Sequence, residues 1–411
     1  MTGPRAGRAR PWWVTLAPAV VLVLVALCLR APFAAVGPVL GELREELAVP
    51  TTALAVLTAL PLVCFGLLSP TVPAIAARLG VHRAVLAGVA VLAAGIGLRL
   101  AGTWGLFAGT VLLTGGTAVV NVLLPAAVRA EYGRRSAPVL GATTASMALS
   151  ASLGAGLSQP LATAGGSAVT GLALWLVPVL VALVCVGLLA GRRRVERVPA
   201  SARLPVAAVL RDRVALAVTG FFGLQSLAFY AILTWLPDIL EADAGVSAVG
   251  AGAVLAVAVA VGAPCALVVP PLAARRPGQA GWVLAAGLLQ AAAVVGLLAA
   301  PGAAPFLWAL LYGLGTGVAF PLAMTLVLLR TRDVAQTGRL SAAAQSVGYL
   351  LAATGPLALG LLHDATGAWR PSLLLLLALV VLQMAVGLLA ARPRLVTERR
   401  SEGAAPSPAR S

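Results

Sequence analysis

Twelve times along its 411 residues the chain runs for about twenty residues with almost no charge. A bilayer core about 30 Å thick is crossed by about 20 apolar residues in a helix, because each backbone polar group must find its partner inside the segment. The stretches cover 12–40, 52–76, 83–101, 105–129, 138–162, 168–190, 214–237, 247–270, 280–299, 305–330, 338–362 and 371–391. None alternates apolar and polar residues as membrane β-strands do. With 60% hydrophobic and 10% charged residues, the chain has too little polar material to cover a water-facing surface of its size. The predicted fold class is therefore all-α and integral membrane. Arg5, Arg8 and Arg10 precede the first stretch as in a secretory signal, but the run continues past Arg30 to Leu40, so it is read as a helix.

The position of arginine explains the net charge of +16. All 29 basic residues are Arg, and 25 of them fall before the first stretch, after every second stretch, or in the tail. Cytoplasmic loops carry the excess of basic residues, so both termini are expected inside, as an even number of crossings requires. A nucleic-acid partner is then unnecessary, and the partner this distribution implies is the lipid bilayer. The absence of Lys, a single Asn and heavy Ala, Gly and Pro use suggest GC-rich bacterial coding. The expected location is a bacterial cell membrane. Trp12, Trp13, Trp104, Trp282, Trp308 and Trp369 lie near helix starts, as in an interfacial aromatic belt. Cys28, Cys64, Cys185 and Cys265 all fall within stretches and read as small apolar residues, with no disulfide, metal or cofactor implied. An integral-membrane enzyme would need a cluster of His, Asp or Glu near the surface, and the sequence offers none.

The longest connection separates six stretches from six. The predicted organisation is an N-terminal bundle at 1–190, a basic cytoplasmic linker at 191–213, a C-terminal bundle at 214–392 and a disordered cytoplasmic tail at 393–411. The halves echo one another. Pro73-Ala-Ile-Ala-Ala-Arg78-Leu-Gly80 follows the second stretch, and Pro270-Pro-Leu-Ala-Ala-Arg275 follows the eighth. The first and seventh both end in proline and acidic residues: Pro38 with Glu42, Glu45 and Glu46, then Pro237 with Asp238, Glu241 and Asp243. Two parallel halves around a midplane cavity is a plan of rocking transporters.

At this point the chain resembles the major facilitator superfamily over nearly its whole length. Arg78, Gly80 and Arg83 match that family's loop motif, while Ala77 stands at its acidic position and Pro73 at its leading Gly. More narrowly it is similar to the cyanate / 2-nitroimidazole transporter branch. That likeness is carried by Leu29-Arg30 with Gly37-Pro38, Asn121 to Pro125, Gln225-Ser226 with Tyr230 and Trp235 to Pro237. It continues in Phe320-Pro321, Arg330 to Asp333, Leu340-Ser341, Gln345 to Tyr349, Gly355-Pro356 and His363-Asp364. The resemblance implies a monomeric secondary transporter working by alternating access on a small polar or anionic solute, cyanate-like or nitro-heterocycle-like. It also implies gating functions for the loop residues Arg78, Gly80, Arg83, Arg330 and Asp333. Efflux of drugs or other small organic compounds is the alternative, weakened because the fifth stretch carries Gly154-Ala-Gly156 with its proline only at Pro160.

Within the membrane, Arg30 is the leading candidate for substrate contact. All thirteen acidic residues fall in loops, tails or helix ends, so no carboxylate lies deep enough to neutralise it. A guanidinium fork suits a small planar anion; the competing reading is that Arg30 snorkels to the outer interface. Arg99, at the outer end of the third stretch, is expected to snorkel. Asn121, Gln225, Tyr230, Gln345 and Tyr349 are read as cavity residues, with cross-helix bonding as the alternative. Thr143, Ser146 and Ser150 read as close-packing contacts, and Gly115, Gly154, Gly156 and Gly355 as packing or flexing points. Protons are a candidate coupling ion, but the sequence offers no obvious carrier for them except His363–Asp364 and Asp333 at helix ends, and uniport stays open.

Overall fold

The computed structural model describes residues 12–48, 51–191 and 206–397. Among them, eleven segments are long and apolar enough to cross a membrane, one of which, Gly102–Gly165, runs for 64 residues. At 1.5 Å per residue it would span about 96 Å as one rod, far more than a bilayer. It is in fact two helices, Gly102–Tyr132 and Ser136–Gly165, joined by a single 3-10 turn at Gly133–Arg135. Gly133 takes φ +52°, open to a residue without Cβ, and the chain doubles back there.

Counting that hairpin as two gives twelve crossings. The first six are α1 (Trp12–Cys28), α2 (Thr51–Leu68), α3 (Val81–Leu98), α4 (Gly102–Tyr132), α5 (Ser136–Gly165) and α6 (Leu176–Gly191). The second six are α7 (Arg213–Ala244), α8 (Ala248–Ala260, continued by Gly262–Ala273), α9 (Ala280–Ala299), α10 (Pro305–Leu329), α11 (Val334–Thr366) and α12 (Trp369–Ala390). Among the described residues no strand occurs. An even number of crossings places the start of α1 and the end of α12 on one face, called the terminal face below; the other is the far face.

The predicted single helix over 12–40 is corrected. α1 stops at Cys28, a short helix covers Ala31–Ala34, a 3-10 turn covers Gly37–Val39, and Leu40–Leu47 follows. Pro32 and Pro38 cause this, since each lacks an N–H and sterically opposes a helix running through it. Pro70 likewise interrupts the second stretch at Ser69–Thr71 before Val72–Leu79 resumes. The sixth stretch is also divided, into Ala168–Ala173 and α6, with Pro178 in the tolerated first turn of the second piece. Elsewhere the helices outrun the apolar pattern. α7 and α11 carry Pro237 and Pro356 inside them and end in turns that hold Asp238, Glu241 and Asp243, and His363 and Asp364. Side-chain caps fix the starts of α7, α8 and α11: Asp212 accepts from Val214 N at 2.7 Å, Ser247 from Gly250 N at 3.2 Å and Asp333 from Gln336 N at 2.8 Å.

Small residues set the packing distance, as they do where lipid supplies no hydrophobic force between helices. A Cβ on Gly116 of α4 would lie 2.4 Å from the Gly88 carbonyl oxygen of α3, so those helices touch through backbone. Gly154 and Gly355 are similarly committed, against the Ala31 carbonyl and the Leu227 carbonyl, whereas Gly156 faces open space and Gly115 meets only Leu68 at 3.4 Å. The buried core is divided unevenly. One cluster runs through the first half and on into the terminal-face portions of α7, α8, α10 and α11. A second cluster, with Ile232, Leu236, Tyr312, Trp369 and Leu373, is confined to the far end of the second half. The two halves thus share a core toward the terminal face.

Candidate functional site

The site is built around the interruption of α1. Once the helix stops at Cys28, the N–H groups of Arg30 and Ala31 lose their partners, and Ser150 of α5 accepts both, at 3.1 and 2.8 Å. One turn on, Gly154 admits the Ala31 backbone, whose carbonyl oxygen would be 2.6 Å from a Cβ there. A further turn on, the Ser158 hydroxyl donates to the Ala35 carbonyl at 2.7 Å. One face of α5 therefore fixes where Arg30 stands. Ser146 and Thr143 bond within α5 instead, to the Ala142 and Leu140 carbonyls.

Arg99 corrects the expectation that it snorkels: its exposure is 0%. Its guanidinium donates through Nε and Nη2 to Thr110 Oγ1 at 3.2 and 2.9 Å, and through Nη1 to the Pro32 carbonyl at 2.8 Å. The broken helix leaves that carbonyl free, so acceptors which interfacial water would otherwise supply are found inside the protein.

Arg30 itself is half-buried, and among the described residues its guanidinium has no hydrogen bond and no ion pair. Its Cζ lies 5.5 Å from the centroid of the Phe320 ring in α10, within cation–π range. Phe320 belongs to the opposite half, so Arg30 faces the interface between the halves. Further rings stand nearby: Phe33 and Phe65 at 5.9 Å, Phe65 and Tyr349 at 5.2 Å, Phe222 and Tyr349 at 5.5 Å, and Phe222 and Phe320 at 6.1 Å.

Three of the predicted cavity residues come together across that interface. Asn121 of α4 donates from Nδ2 to Gln345 Oε1 of α11 at 2.8 Å and, more weakly, to the Tyr349 hydroxyl at 3.4 Å. Gln345 donates in return to the Asn121 carbonyl at 3.2 Å and to Ser341 Oγ at 2.9 Å. Each of these three residues is buried. Tyr230 is half-buried, packs on Phe229 and lies within electrostatic reach of Arg30. Gln225 does not join them: its amide is turned onto its own helix, donating to the Phe222 carbonyl at 3.0 Å and to Ser226 Oγ at 2.6 Å.

The loop residues divide as well. Arg78 and Arg83 are exposed, and Gly80 joins their two helices at φ +79°. Arg330 is buried within the second half, donating to the Ala390 and Ala391 carbonyls at 2.9 and 2.8 Å and to Gln279 Oε1. Asp333 caps α11. A residue that sequence reasoning assigned only to topology, Arg129 at the end of α4, makes the contact between halves. It donates to the Leu328 carbonyl at 2.6 Å and to the Thr331 carbonyl and hydroxyl at 2.7 and 3.2 Å, with the Asp333 charge close by. The last carbonyls of α10 need donors and attract a cation, which was the available signal. Ser346 of α11 donates to the Gly66 carbonyl of α2 at 2.6 Å. Of these bonds between halves, those of Asn121 and Ser346 lie at one level of α11, and those of Arg129 lie between there and the terminal face. His363 stacks on Trp369 at 3.9 Å, about 21 Å along α11 from Tyr349 toward the far face.

The sequence pattern of the Major Facilitator Superfamily matches residues 22–356. The 2-nitroimidazole transporter of Escherichia coli is 34% identical over 91% of this chain and 95% of its own length. The cyanate transport protein CynX of the same organism is 30% identical over 84% of this chain and 90% of its own. The crystal structure of FucP, a Major Facilitator Superfamily transporter in the outward conformation, superposes with a TM-score of 0.72 over 92% of this chain and 98% of that one. Its sequence identity of 14% makes that a likeness of fold alone.

Proposed function

Because the chain belongs to the major facilitator superfamily, we propose that it carries a small polar or anionic solute across a bacterial cell membrane by alternating access, with Arg30 as the solute's main polar contact. The observation that carries this reading is the Arg30 guanidinium, held at the α1 break between the halves with its fork unpaired among the described residues. A charge at membrane depth is expensive, is seldom left without a counterpart, and here lacks a carboxylate. A planar anion satisfies the fork bidentately. The cyanate and nitroimidazole carried by the two relatives are both small and planar, in keeping with that geometry.

The terminal face is assigned to the cytoplasm on the distribution of Arg. The proposed units are the bundles at 1–190 and 214–392, the linker at 191–213 and the tail at 393–411, of which 1–11, 49–50, 192–205 and 398–411 lie outside the described residues. Since the bonds between halves lie at the level of Asn121 and between there and the terminal face, the described state is closed to the cytoplasm. Alternating access then requires the Asn121–Gln345, Ser346–Gly66 and Arg129–Thr331 contacts to part. The test is uptake of radiolabelled cyanate and of small carboxylates into proteoliposomes by wild type and Arg30→Gln. The expected result is a 10- to 100-fold rise in KM for the anions, the order of a lost charged hydrogen-bond pair, about 1.5–3 kcal/mol. Unchanged KM in a correctly folded Arg30→Gln protein, or transport of cations alone, would overturn the reading.

A further inference from the structure

Arg30 closes a circuit of aromatic rings. Phe33, one turn past Arg30, meets Phe65 edge-on; Phe65 lies beside Tyr349; Tyr349 meets Phe222 edge-on; Phe222 lies beside Phe320; and the Arg30 guanidinium sits over Phe320. Successive centroids are 5.2–6.1 Å apart, the spacing at which ring edges and faces attract. The rings come from the short helix after α1 and from α2, α7, α10 and α11, hence from both halves. Four of the eight Phe in the chain are here, whereas elsewhere helix backbones approach one another at Gly, as Gly116 does Gly88 and Gly154 does Ala31. Phe222 and Tyr349 are buried and back the circuit, while Phe33, Phe65, Phe320 and Arg30 each keep part of their surface open.

We propose that the solute is a planar aromatic or heteroaromatic monoanion, its acid group on the Arg30 fork and its ring among Phe33, Phe65 and Phe320. This rests on the reading of Arg30 as the anion contact and narrows it. A three-atom linear anion engages the fork but leaves the ring surfaces untouched. A saturated carbocyclic acid of equal charge reaches them but lacks the polarised edge and face that stack edge-to-face. A flat aromatic acid does both, and its ring takes up the neighbours from either half at once.

The experiment measures binding to the purified full-length chain in lipid nanodiscs by calorimetry. Benzoate, imidazole-4-carboxylate, cyclohexanecarboxylate and cyanate are titrated into wild type, Phe33→Leu, Phe65→Leu and Arg30→Gln. The expected result is that the tighter of the two aromatic acids binds wild type at least about tenfold more tightly than cyclohexanecarboxylate or cyanate. Each leucine variant is expected to shrink that preference to about twofold, with cyanate affinity unchanged. Equal affinity of wild type for benzoate, imidazole-4-carboxylate and cyclohexanecarboxylate overturns the ring assignment, as does an equal loss for every anion in both leucine variants. Loss of selectivity with retained cyanate binding is distinguishable from failure of the anion reading, in which no anion binds or Arg30→Gln changes nothing. If a leucine variant is not monodisperse, the wild-type ratio of aromatic to saturated acid decides alone.

Discussion

The Arg99 guanidinium donates to the carbonyl oxygen of Pro32 at 2.8 Å, tying the end of α3 to the short helix that carries Phe33 and follows Arg30. That contact is a consequence of a proline, which breaks α1 and releases the carbonyl.

Replacing Arg99 separates stability from affinity. A buried guanidinium without an acidic partner loses several kcal/mol of hydration, and Met removes that cost at the expense of about 1–3 kcal/mol for the stranded Pro32 carbonyl. Arg99→Met is expected to leave the unfolding temperature unchanged or higher, measured by thermal unfolding in detergent. The Pro32 carbonyl is then left without its donor, so solute KM is expected to rise about tenfold, with Arg99→Lys intermediate.

The amide pair across the interface is expected to bias the closed state of the terminal face. Cross-helix hydrogen bonds in membranes average about 0.6 kcal/mol and reach about 1.7. Asn121→Leu should therefore shift the ratio of closed to open terminal face by about 3- to 20-fold. Spin labels at the exposed positions of Arg78→Cys and Arg332→Cys report it as a longer distance. Asn121→Leu combined with Gln345→Leu should cost less than the two single effects added, since each single variant strands its partner.

Arg129→Gln is expected to open the same face further, because it removes the charge that serves the last carbonyls of α10. The same pair of labels should show a larger open fraction than in wild type, by about tenfold. Labels giving an unchanged distance distribution would show that Arg129 does not hold the face closed.

Acid should release the C-terminal segment. Asp212 is partly buried, which raises its pKa, but the N–H and hydroxyl of Thr397 and the N–H groups of Ala215 and Val214 lower it more, so the net direction is down. A carboxyl depressed on folding stabilises the folded state above its unfolded value, near pH 4. That contribution is lost as pH falls through the lowered value. Protection of the Thr397 amide, its exchange rate taken relative to the intrinsic rate at each pH, is expected to be high at pH 5 and to fall below about pH 4, and Asp212→Asn should abolish the transition.

The crossings and their pairing into halves were legible because hydropathy at bilayer length is set by the chain alone. The breaks in the first and second stretches were marked by Pro32, Pro38 and Pro70, but apolar flanks concealed them from a count of apolar residues. Arg30, Asn121 and Gln345 stand out in the sequence because charge or amide at membrane depth is costly wherever it points, and Tyr349 stands one helical turn from Gln345. Gln225 had the same signature and spends it on its own helix, which depends on a rotamer. The burial of Arg99 and the contact of Arg129 were not legible because part of what holds each is a backbone carbonyl, freed by a distant proline or a helix end, and carbonyls carry no residue letter.

The hairpin of α4 and α5 turns within three residues, Gly133–Arg135, so it has no loop in which movement could be absorbed. On one arm it carries Asn121 and Arg129, which grip the opposite half; on the other it carries Ser150, which holds Arg30. On the proposed reading, a solute that displaces Arg30 would press on Ser150, and the short turn at Gly133–Arg135 offers a direct route from there to the Asn121 and Arg129 contacts, so that occupancy and gating would become two readings of a single angle.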